Sequence, residues 1–273
     1  MTGGETGAWQ QLERELGAWA AASRQAEIWW RDDDAGAPGP AFERLLAVAA
    51  ASRAPLALAT IPARVEPALA EVLEIQAPGA VVLQHGYAHA DHAAAGAKKC
   101  ELVDPARRPT IMDELRQGRA RLASLFGARF RPVLVPPWNR IDPVLLPQLP
   151  ALGFTGLSTY TARTAATPVV GLRQANCHVD ILEWHPQRRF LGTRAALELL
   201  AGHLAARRLG KVDAAEPSGI LTHHHVHDAA AWDFLAELLD RLARHAAVRL
   251  LSAHEVFAKP TADRQATAGE TRA

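Results

Sequence analysis

The stretch Ile28-Trp29-Trp30-Arg31-Asp32-Asp33-Asp34-Ala35-Gly36 joins an apolar run directly to three consecutive carboxylates. Its apolar half predicts a buried strand over Glu27–Arg31. Adjacent carboxylates repel one another, so holding them together costs free energy unless a cation or hydrogen bonds offset the repulsion. The glycine and proline that follow also allow a solvated turn or a helix cap. A carboxylate at the end of a buried strand is not freely solvated, and we therefore interpret this strand end as a candidate site.

Short apolar runs alternate with longer amphipathic runs along the rest of the chain. The further predicted strands are Leu56–Thr60, Ala80–Leu83, Arg131–Val135, Phe154–Leu157, Val179–Leu182, Gly219–Thr222 and Val248–Leu250. The predicted helices are Trp9–Ala22, Ala41–Ala51, Pro67–Gln76, Thr110–Phe126, Thr193–Arg208, Ala229–His245 and Ser252–Phe257.

This alternation predicts an α/β fold with a parallel sheet and helical crossovers. About 250 residues of it fit a single (β/α) barrel. An open doubly wound sheet is the alternative, although no G-x-G-x-x-G or Walker loop follows any predicted strand. We find no repeat and no low-complexity linker. We therefore expect one domain over residues 1–258, with the polar residues 259–273 as a tail.

The composition narrows the function classes. Thirty Lys and Arg stand against 29 Asp and Glu, so neither nucleic acid nor an anionic membrane is favoured as a partner. No run approaches the ~20 apolar residues of a membrane helix, and no signal peptide is recognisable, so we expect a cytoplasmic protein. The chain has 12 His, but Cys100 and Cys177 are its only cysteines. A bound metal would therefore need imidazole and carboxylate ligands.

Three more polar clusters follow predicted strands, and they begin at His85, Pro136 and His223. Barrel enzymes build their active sites at the carboxyl ends of strands, so four such clusters favour an active site there. His85 and His89 are four positions apart, and in a helical turn both imidazoles would face one side and suit one divalent ion. Two surface histidines are the alternative interpretation.

The third of these clusters is the run His223-His224-His225-Val226-His227-Asp228. Side chains alternate between the two faces of a strand. We therefore expect His223 and His225 to share one face, with His224 on the other. At least two histidines of this run are expected to be structural or exposed.

In their order along the chain, these motifs resemble those of the polysaccharide deacetylase superfamily, the NodB homology domain of carbohydrate esterase family 4. The resemblance extends from Trp30 to about Leu251. The acidic run is similar to the family's T-F-D-D-G motif, which implies that Asp33 is the general base and Asp34 a metal ligand, with the register open by one residue. The family's H-[ST]-x-x-H motif matches His85 and His89 as metal ligands.

Three later motifs are also similar. The family's R-P-P-[YF] motif is similar to Val135-Pro136-Pro137-Trp138, with Val135 in place of the arginine. Arg31 and Arg140 are the two candidates to take over the contact of that arginine. Leu221-Thr222-His223 matches L-x-H, which makes His223 the general acid. An Asp-Trp pair is loosely matched by Asp180 and Trp184, and Asp180 would keep His223 charged and oriented.

The resemblance implies a distorted (β/α) barrel of seven or eight strands and hydrolysis of N-acetyl groups on glycans or of other non-peptide C–N bonds. It implies one divalent metal ion, with Zn²⁺ as the first choice and Co²⁺, Ni²⁺ or Mn²⁺ as alternatives. A glycan or small molecule would bind against Trp138, Pro137, Tyr87 and Trp184. We expect a small cytosolic N-acyl substrate rather than a cell-wall polymer.

Two other functions stay open from the sequence. A barrel that binds a glycan or metabolite without catalysis is suggested by the missing motif arginine and the weak Asp-Trp motif. A two-metal hydrolase of the phosphoesterase type is suggested by the four histidines that begin at His223.

Overall fold

The computed structural model describes residues 3–103, 105–185 and 187–258, so the predicted tail lies outside the described residues. The longer strands are β1 Ala26–Ala35, β2 Leu56–Thr60, β3 Val81–His85, β4 Phe130–Val135, β10 Ser218–Thr222 and β11 Val248–Leu251. The two-residue strands are β5 Gly156–Leu157, β6 Arg173–Gln174, β7 Val179–Asp180, β8 Leu182–Glu183 and β9 Arg189–Phe190.

The helices are α1 Gly3–Ala21, α2 Pro40–Ser52, α3 Pro67–Gln76, α4 Arg108–Phe126, α5 Thr193–Arg208, α6 Ala229–Arg244 and α7 Ala253–Val256. Short 3-10 helices follow several strands, among them Pro137–Asn139 after β4 and His224–Val226 after β10. Over the described part of the chain, every helix is too short or too polar to span a lipid bilayer.

The main sheet is parallel and has the order β6-β5-β4-β3-β2-β1-β10-β7, with β11 pairing to β1 as well. Residues 173–180 carry β6 at one end and β7 at the other, so one short segment joins both edges of this order. The sheet curls into a distorted barrel with helices around it, which confirms the predicted fold class. A separate antiparallel hairpin pairs β8 with β9.

The strands are buried on both faces, as expected for a parallel sheet covered by helices. On β1, Trp29 belongs to the inner cluster with Leu83, Val133 and Phe257. Ile28 and Trp30 belong to the outer layer between strands and helices. Because side chains alternate along a strand, the charged residues in the polar half of β1 also alternate between the inner and the outer face.

The acidic run lies inside β1 rather than after it, since the strand continues to Ala35. Its pairing with β2 is interrupted between Asp32 and Ala35, and Asp34 has φ +70°. His89, Trp138 and Asn139 also have left-handed backbone. This conformation is uncommon outside glycine and is often retained where function requires it. Its concentration at the carboxyl ends of β1, β3 and β4 marks the same end of the barrel that the motifs indicate.

Candidate active site

Asp34, His85 and His89 form a cluster at the carboxyl ends of the strands that can hold a metal ion. The Nε2 atoms of His85 and His89 lie 3.2 and 3.3 Å from Oδ1 of Asp34. Nδ1 of His85 lies 2.9 Å from the carbonyl oxygen of Val135, which only accepts hydrogen bonds, so Nδ1 carries the proton. In the neutral ring Nε2 is then unprotonated and directs a lone pair toward Asp34.

Oδ1 of Asp34 is buried and has no hydrogen-bond partner among the residues that the structure describes. A carboxylate oxygen and an unprotonated imidazole nitrogen at 3.2 Å repel one another unless a cation lies between them. That cation is either a proton on Nε2 or a metal ion. The Asp34 oxygen and the two imidazole nitrogens are therefore consistent with the set of metal ligands that the motifs predict.

The pKa shifts of the three groups agree with this arrangement. Burial acts to lower the pKa of His85, but the close contact with the Asp34 carboxylate and the charges of Asp33 and Asp34 raise it overall. Burial acts to raise the pKa of Asp34, yet His85 and the neighbouring histidines hold it well below its usual range. The pKa of His89 is lowered, chiefly by burial and then by His85. A metal ion would thus compete with a proton for His85, and the lowered pKa of His89 favours the neutral ring that a metal requires.

His85 and His89 come together without a helical turn between them. His85 is the last residue of β3, and the chain then turns through positive φ at Gly86 and at His89. The buried carboxylate of Glu101 accepts hydrogen bonds from the backbone N–H groups of Tyr87, Ala88 and Ala90, at 3.0, 2.8 and 3.3 Å. These donors therefore do not bond to preceding carbonyls as they would in a helix.

Glu101 was missed from the sequence. Its one signal is an acidic residue between Cys100 and Leu102, two apolar residues that are also buried, in a long polar loop. Buried carboxylates are uncommon unless their oxygens are satisfied, and here backbone amides satisfy them. Glu101 therefore fixes the loop that presents His89.

The carboxylate of Asp33 is held by Arg31. Nε and Nη2 of Arg31 donate to the two carboxylate oxygens at 2.7 and 3.0 Å, and both residues are buried. Arg31 also donates to Ser158 Oγ at 2.6 Å and to Asn139 Oδ1 at 2.8 Å. Burial acts to lower the pKa of Arg31, but the charge of Asp33 raises it overall.

Of the two arginines considered as substitutes for the motif arginine, Arg31 makes the contact. Arg140 instead donates to the carbonyl oxygen of Lys99 at 2.9 Å. Arg31 and Asp33 are two positions apart on β1, so both side chains point to the interior of the barrel. The replacement of the motif arginine by Val135 therefore leaves Asp33 with a bidentate partner.

His223 directs Nε2 toward Asp33, 4.0 Å from Oδ2, and is largely buried. Its ring meets the ring of Trp184 edge-on with centroids 4.6 Å apart. The carboxylate of Asp180 accepts hydrogen bonds from Nε1 of Trp184 at 2.7 Å and from the N–H of Leu182 at 3.0 Å. Burial raises the pKa of Asp180, an effect that the charge of His223 partly offsets. Asp180 therefore interacts with His223 in two ways, electrostatically and through the Trp184 ring, which contacts both residues.

The expected alternation along the histidine run stops early, because β10 ends at Thr222 and a 3-10 turn follows. His224 does face away from His223: its Nδ1 lies 2.5 Å from Oδ1 of Asp32 on the outer face of β1. The exposed ring of His225 packs on that of His224, with centroids 3.8 Å apart.

Aromatic and proline side chains surround these groups. The Trp138 ring lies against His89 with centroids 4.3 Å apart. Pro137 is buried beside Gly86. The hydroxyl of the half-buried Tyr87 donates to Gln117 at 3.4 Å. Trp138 thus borders the cluster of Asp34, His85 and His89, as Trp184 borders His223. A role of these aromatic and proline side chains in substrate binding stays a prediction.

Comparison with known proteins supports the fold directly. No protein-family profile and no curated protein matches the sequence. Among solved structures, a protein from Mycobacterium smegmatis assigned to the polysaccharide deacetylases matches with a TM-score of 0.57 at 17% identity, over 85% of this chain and 89% of that one. The chain has the fold of the polysaccharide deacetylases.

Two further structures agree. The Bc1960 peptidoglycan N-acetylglucosamine deacetylase matches with a TM-score of 0.52 at 16% identity, over 86% of this chain and 90% of that one. The peptidoglycan deacetylase PdaC from Bacillus subtilis matches with a TM-score of 0.51 at 14% identity, over 85% and 90%. At these identities the likeness establishes the polysaccharide deacetylase fold, and the site must be argued from its own residues.

A second histidine cluster, His178, His203 and Glu216, lies toward the opposite end of the polysaccharide deacetylase barrel. Nδ1 of His178 accepts a hydrogen bond from the N–H of Gly219 at 2.9 Å, so the proton of the neutral ring is on Nε2. That atom lies 3.3 Å from Oε2 of Glu216. A metal there would require a ring with no proton at all. We therefore interpret this cluster as a structural group, whereas Asp34, His85 and His89 are suited to bind a metal ion.

Proposed function

We propose that the protein is a metal-dependent hydrolase that cleaves the amide bond of an N-acetylated sugar or a small N-acyl compound. One observation carries the proposal: a buried, unpartnered Asp34 oxygen faces two imidazole nitrogens, beside an Asp33–His223 pair with atoms 4.0 Å apart. The polysaccharide deacetylase fold supports it.

Asp34, His85 and His89 are the residues that would hold the metal. Two imidazole nitrogens and one carboxylate oxygen form the three-ligand set typical of catalytic zinc, which makes Zn²⁺ the first choice over Co²⁺, Ni²⁺ or Mn²⁺. A divalent ion bound there supplies polarisation of the acyl carbonyl and a lowered pKa for the attacking water.

The acid–base steps fall to Asp33 and His223. Asp33 accepts the proton of the attacking water, and Arg31 holds both carboxylate oxygens in place for that transfer. His223 then protonates the leaving amine nitrogen, and Asp180 stabilises the charged imidazole. The backbone N–H of Trp138 stabilises the oxygen anion that develops on the acyl carbon.

The substrate would lie between the aromatic side chains of the site. Trp138 offers a ring face beside the metal cluster, and Trp184 lies beside the acid, with Pro137 and Tyr87 adjoining. We propose a cytoplasmic location and a small cytosolic substrate rather than a polymer. The two cysteines are unpaired and buried, as is usual in a reducing compartment.

The test combines metal analysis with acetate release from a set of N-acetylated sugars in the presence of Zn²⁺, Co²⁺ or Mn²⁺. His85→Ala should lose the stoichiometric metal. Asp33→Asn should keep the metal and lose acetate release. The exposed His254 supplies a control, and His254→Ala should change neither measurement. Undiminished metal in His85→Ala would overturn the ligand assignment.

The same experiment separates the alternatives. A wild-type protein that binds these sugars but releases no acetate would favour the non-catalytic barrel. A phosphoesterase would need two ions about 3.5–4 Å apart, which anomalous scattering would detect. Within the described ranges, this end of the barrel supplies a single three-ligand cluster.

A further inference from the structure

A buried carboxylate–imidazole pair that the proposed chemistry does not use lies behind His223. It joins Asp32, on the outer face of β1, to His224, and neither side chain is exposed. Nδ1 of His224 lies 2.5 Å from Oδ1 of Asp32. Oδ2 of Asp32 accepts hydrogen bonds from the hydroxyl of Thr222 at 2.6 Å and from the backbone N–H of His224 at 3.0 Å.

These contacts hold both chain neighbours of His223. Thr222 is fixed further, because its hydroxyl oxygen accepts a hydrogen bond from Nε1 of Trp30 at 2.8 Å. The imidazole of His223 itself is held less firmly. Its Nδ1 has no hydrogen-bond partner in the described part of the chain, and its Nε2 is 4.0 Å from Oδ2 of Asp33. The orientation of this ring therefore depends on its backbone and on packing against Trp184.

The ring of Phe42 lies edge-on to His224, with centroids 5.6 Å apart. Removing a carboxylate from water costs several kcal/mol, and an apolar pair of similar size is often at least as stable. Stability alone therefore gives no reason to place a carboxylate and an imidazole here. A carboxylate does what an apolar side chain cannot, because it gathers three donors from the end of β10 at one point.

We propose that Asp32 and His224 are positioning residues that fix the imidazole of His223 against Asp33. The assignment rests on the proposed role of His223 as general acid. It gives the third carboxylate of the acidic run a function distinct from those of Asp33 and Asp34.

Two replacements of His224 test the proposal. His224→Asn keeps a donor near the position of Nδ1, whereas His224→Phe keeps a ring and removes the donor. We expect His224→Phe to lower kcat for acetate release about 10- to 100-fold, because small misplacements of a catalytic group are costly. KM and zinc content should stay within about twofold, and His224→Asn should restore most of kcat. Asp142→Asn is the matched control, since Asp142 also accepts a backbone N–H but lies outside the site.

A second measurement does not depend on turnover. Long-range ¹H–¹⁵N spectra report the tautomer and order of the His223 imidazole. We expect one ordered ring in the wild type and in His224→Asn, and an averaged ring in His224→Phe. Should His224→Phe fail to fold, Asp32→Asn, which keeps the side-chain shape, replaces it in both measurements.

The two proposals fail in different ways. A wild type that releases no acetate would contradict the proposed function, while the spectra would still decide whether the pair orders His223. An unchanged kcat together with an unchanged His223 spectrum in the variants would overturn the positioning role.

Discussion

Arg31 is the residue that most directly fixes the position of the Asp33 carboxylate and balances its charge. It is fully buried, and its guanidinium reaches both oxygens of that carboxylate as well as Ser158 and Asn139. A lysine ammonium is a point donor and cannot reproduce this planar arrangement. We expect Arg31→Lys to lower kcat at least tenfold while the zinc content stays unchanged, as acetate release and metal analysis would show.

Removing the charge altogether should also destabilise the fold. Arg31→Met leaves Asp33 as an uncompensated buried charge, which costs about 3–5 kcal/mol. The exposed pair of Arg189 and Glu183 is the control, since Arg189→Met should cost no more than about 1 kcal/mol. Urea unfolding of both variants measures the difference, and equal stabilities would contradict it.

Sequence reasoning identified the residues whose type and spacing carry chemistry, and the structure brings Asp33, Asp34, His85, His89 and His223 to one end of the barrel. The sequence alone could not identify the residues that contact these side chains. Ser158 and Asn139 are 127 and 108 positions from Arg31, and neither residue type is unusual where it occurs. Such contacts are set by the packing of strands and loops, which no local pattern records.

At the scale of elements, β2, α3 and α5 have the predicted bounds. β2 is a short, fully buried apolar run, and the two helices carry apolar residues three or four positions apart. The two-residue strands β6 and β9 were missed, because pairing with a neighbour defines them and two residues show no period. The turn after β3 is not helical, and Glu101, which lies more than ten positions further along the chain, determines its form.

The loop after β3 supplies a matched pair of glycine substitutions. A Cβ at Gly86 would lie 1.9 Å from Oε2 of Glu101 and 2.6 Å from Pro137, and its φ is +54°. Gly96 has φ +80° and no atom within 4 Å of such a Cβ. We expect Gly86→Ala to weaken zinc binding at least tenfold and to lower Tm, because the loop must move away from Glu101.

Gly96→Ala should cost only about 1–2 kcal/mol of backbone strain and leave zinc affinity unchanged. Zinc titration and thermal unfolding of the two variants make the comparison. Equal zinc affinities in the two variants would show that the Glu101 contact does not shape the metal cluster.

Helix α5 carries a pH-dependent contribution to stability. Burial, together with the charges of His178 and Arg207, lowers the pKa of His203 to about 3. The folded protein therefore keeps this ring neutral, whereas the unfolded chain protonates it near pH 6.5. Stability from this residue is complete above pH 6.5 and decreases as the pH falls from there toward 3.

The corresponding variant is His203→Gln, which cannot titrate. Urea unfolding between pH 7 and 5 should show a steeper loss in the wild type, by up to about 1.4 kcal/mol per pH unit. The same dependence in both proteins would contradict the assignment of this loss to His203.

For the whole molecule, the proposed metal binding would link folding to Asp34, His85 and His89. An ion that binds the folded protein at 100 times its Kd adds about 2.7 kcal/mol to the free energy of unfolding. For a chain of this size that corresponds to roughly 5–10 °C in Tm. We expect chelation to lower the Tm of the wild type by this amount and to leave His85→Ala unaffected. A chelator effect of equal size in both proteins would place the stabilising ion elsewhere.

The strand–helix alternation predicted the barrel as a whole, but not how its edges meet. That depends on residues 173–180, whose two short pairings give no signal in the sequence. The single domain over residues 1–258 stays a prediction.

One strand holds the proposed base, its arginine and a proposed metal ligand, all between Arg31 and Asp34. In the family pattern the arginine comes instead from the end of β4, where this chain has Val135. An exchange of β4 and its loop with a relative would leave the Arg31–Asp33 contact intact, and a graft of β1 alone would transfer both groups together. This chain therefore inherits the proposed base and its partner as a single piece, which frees the loop after β4 to diversify.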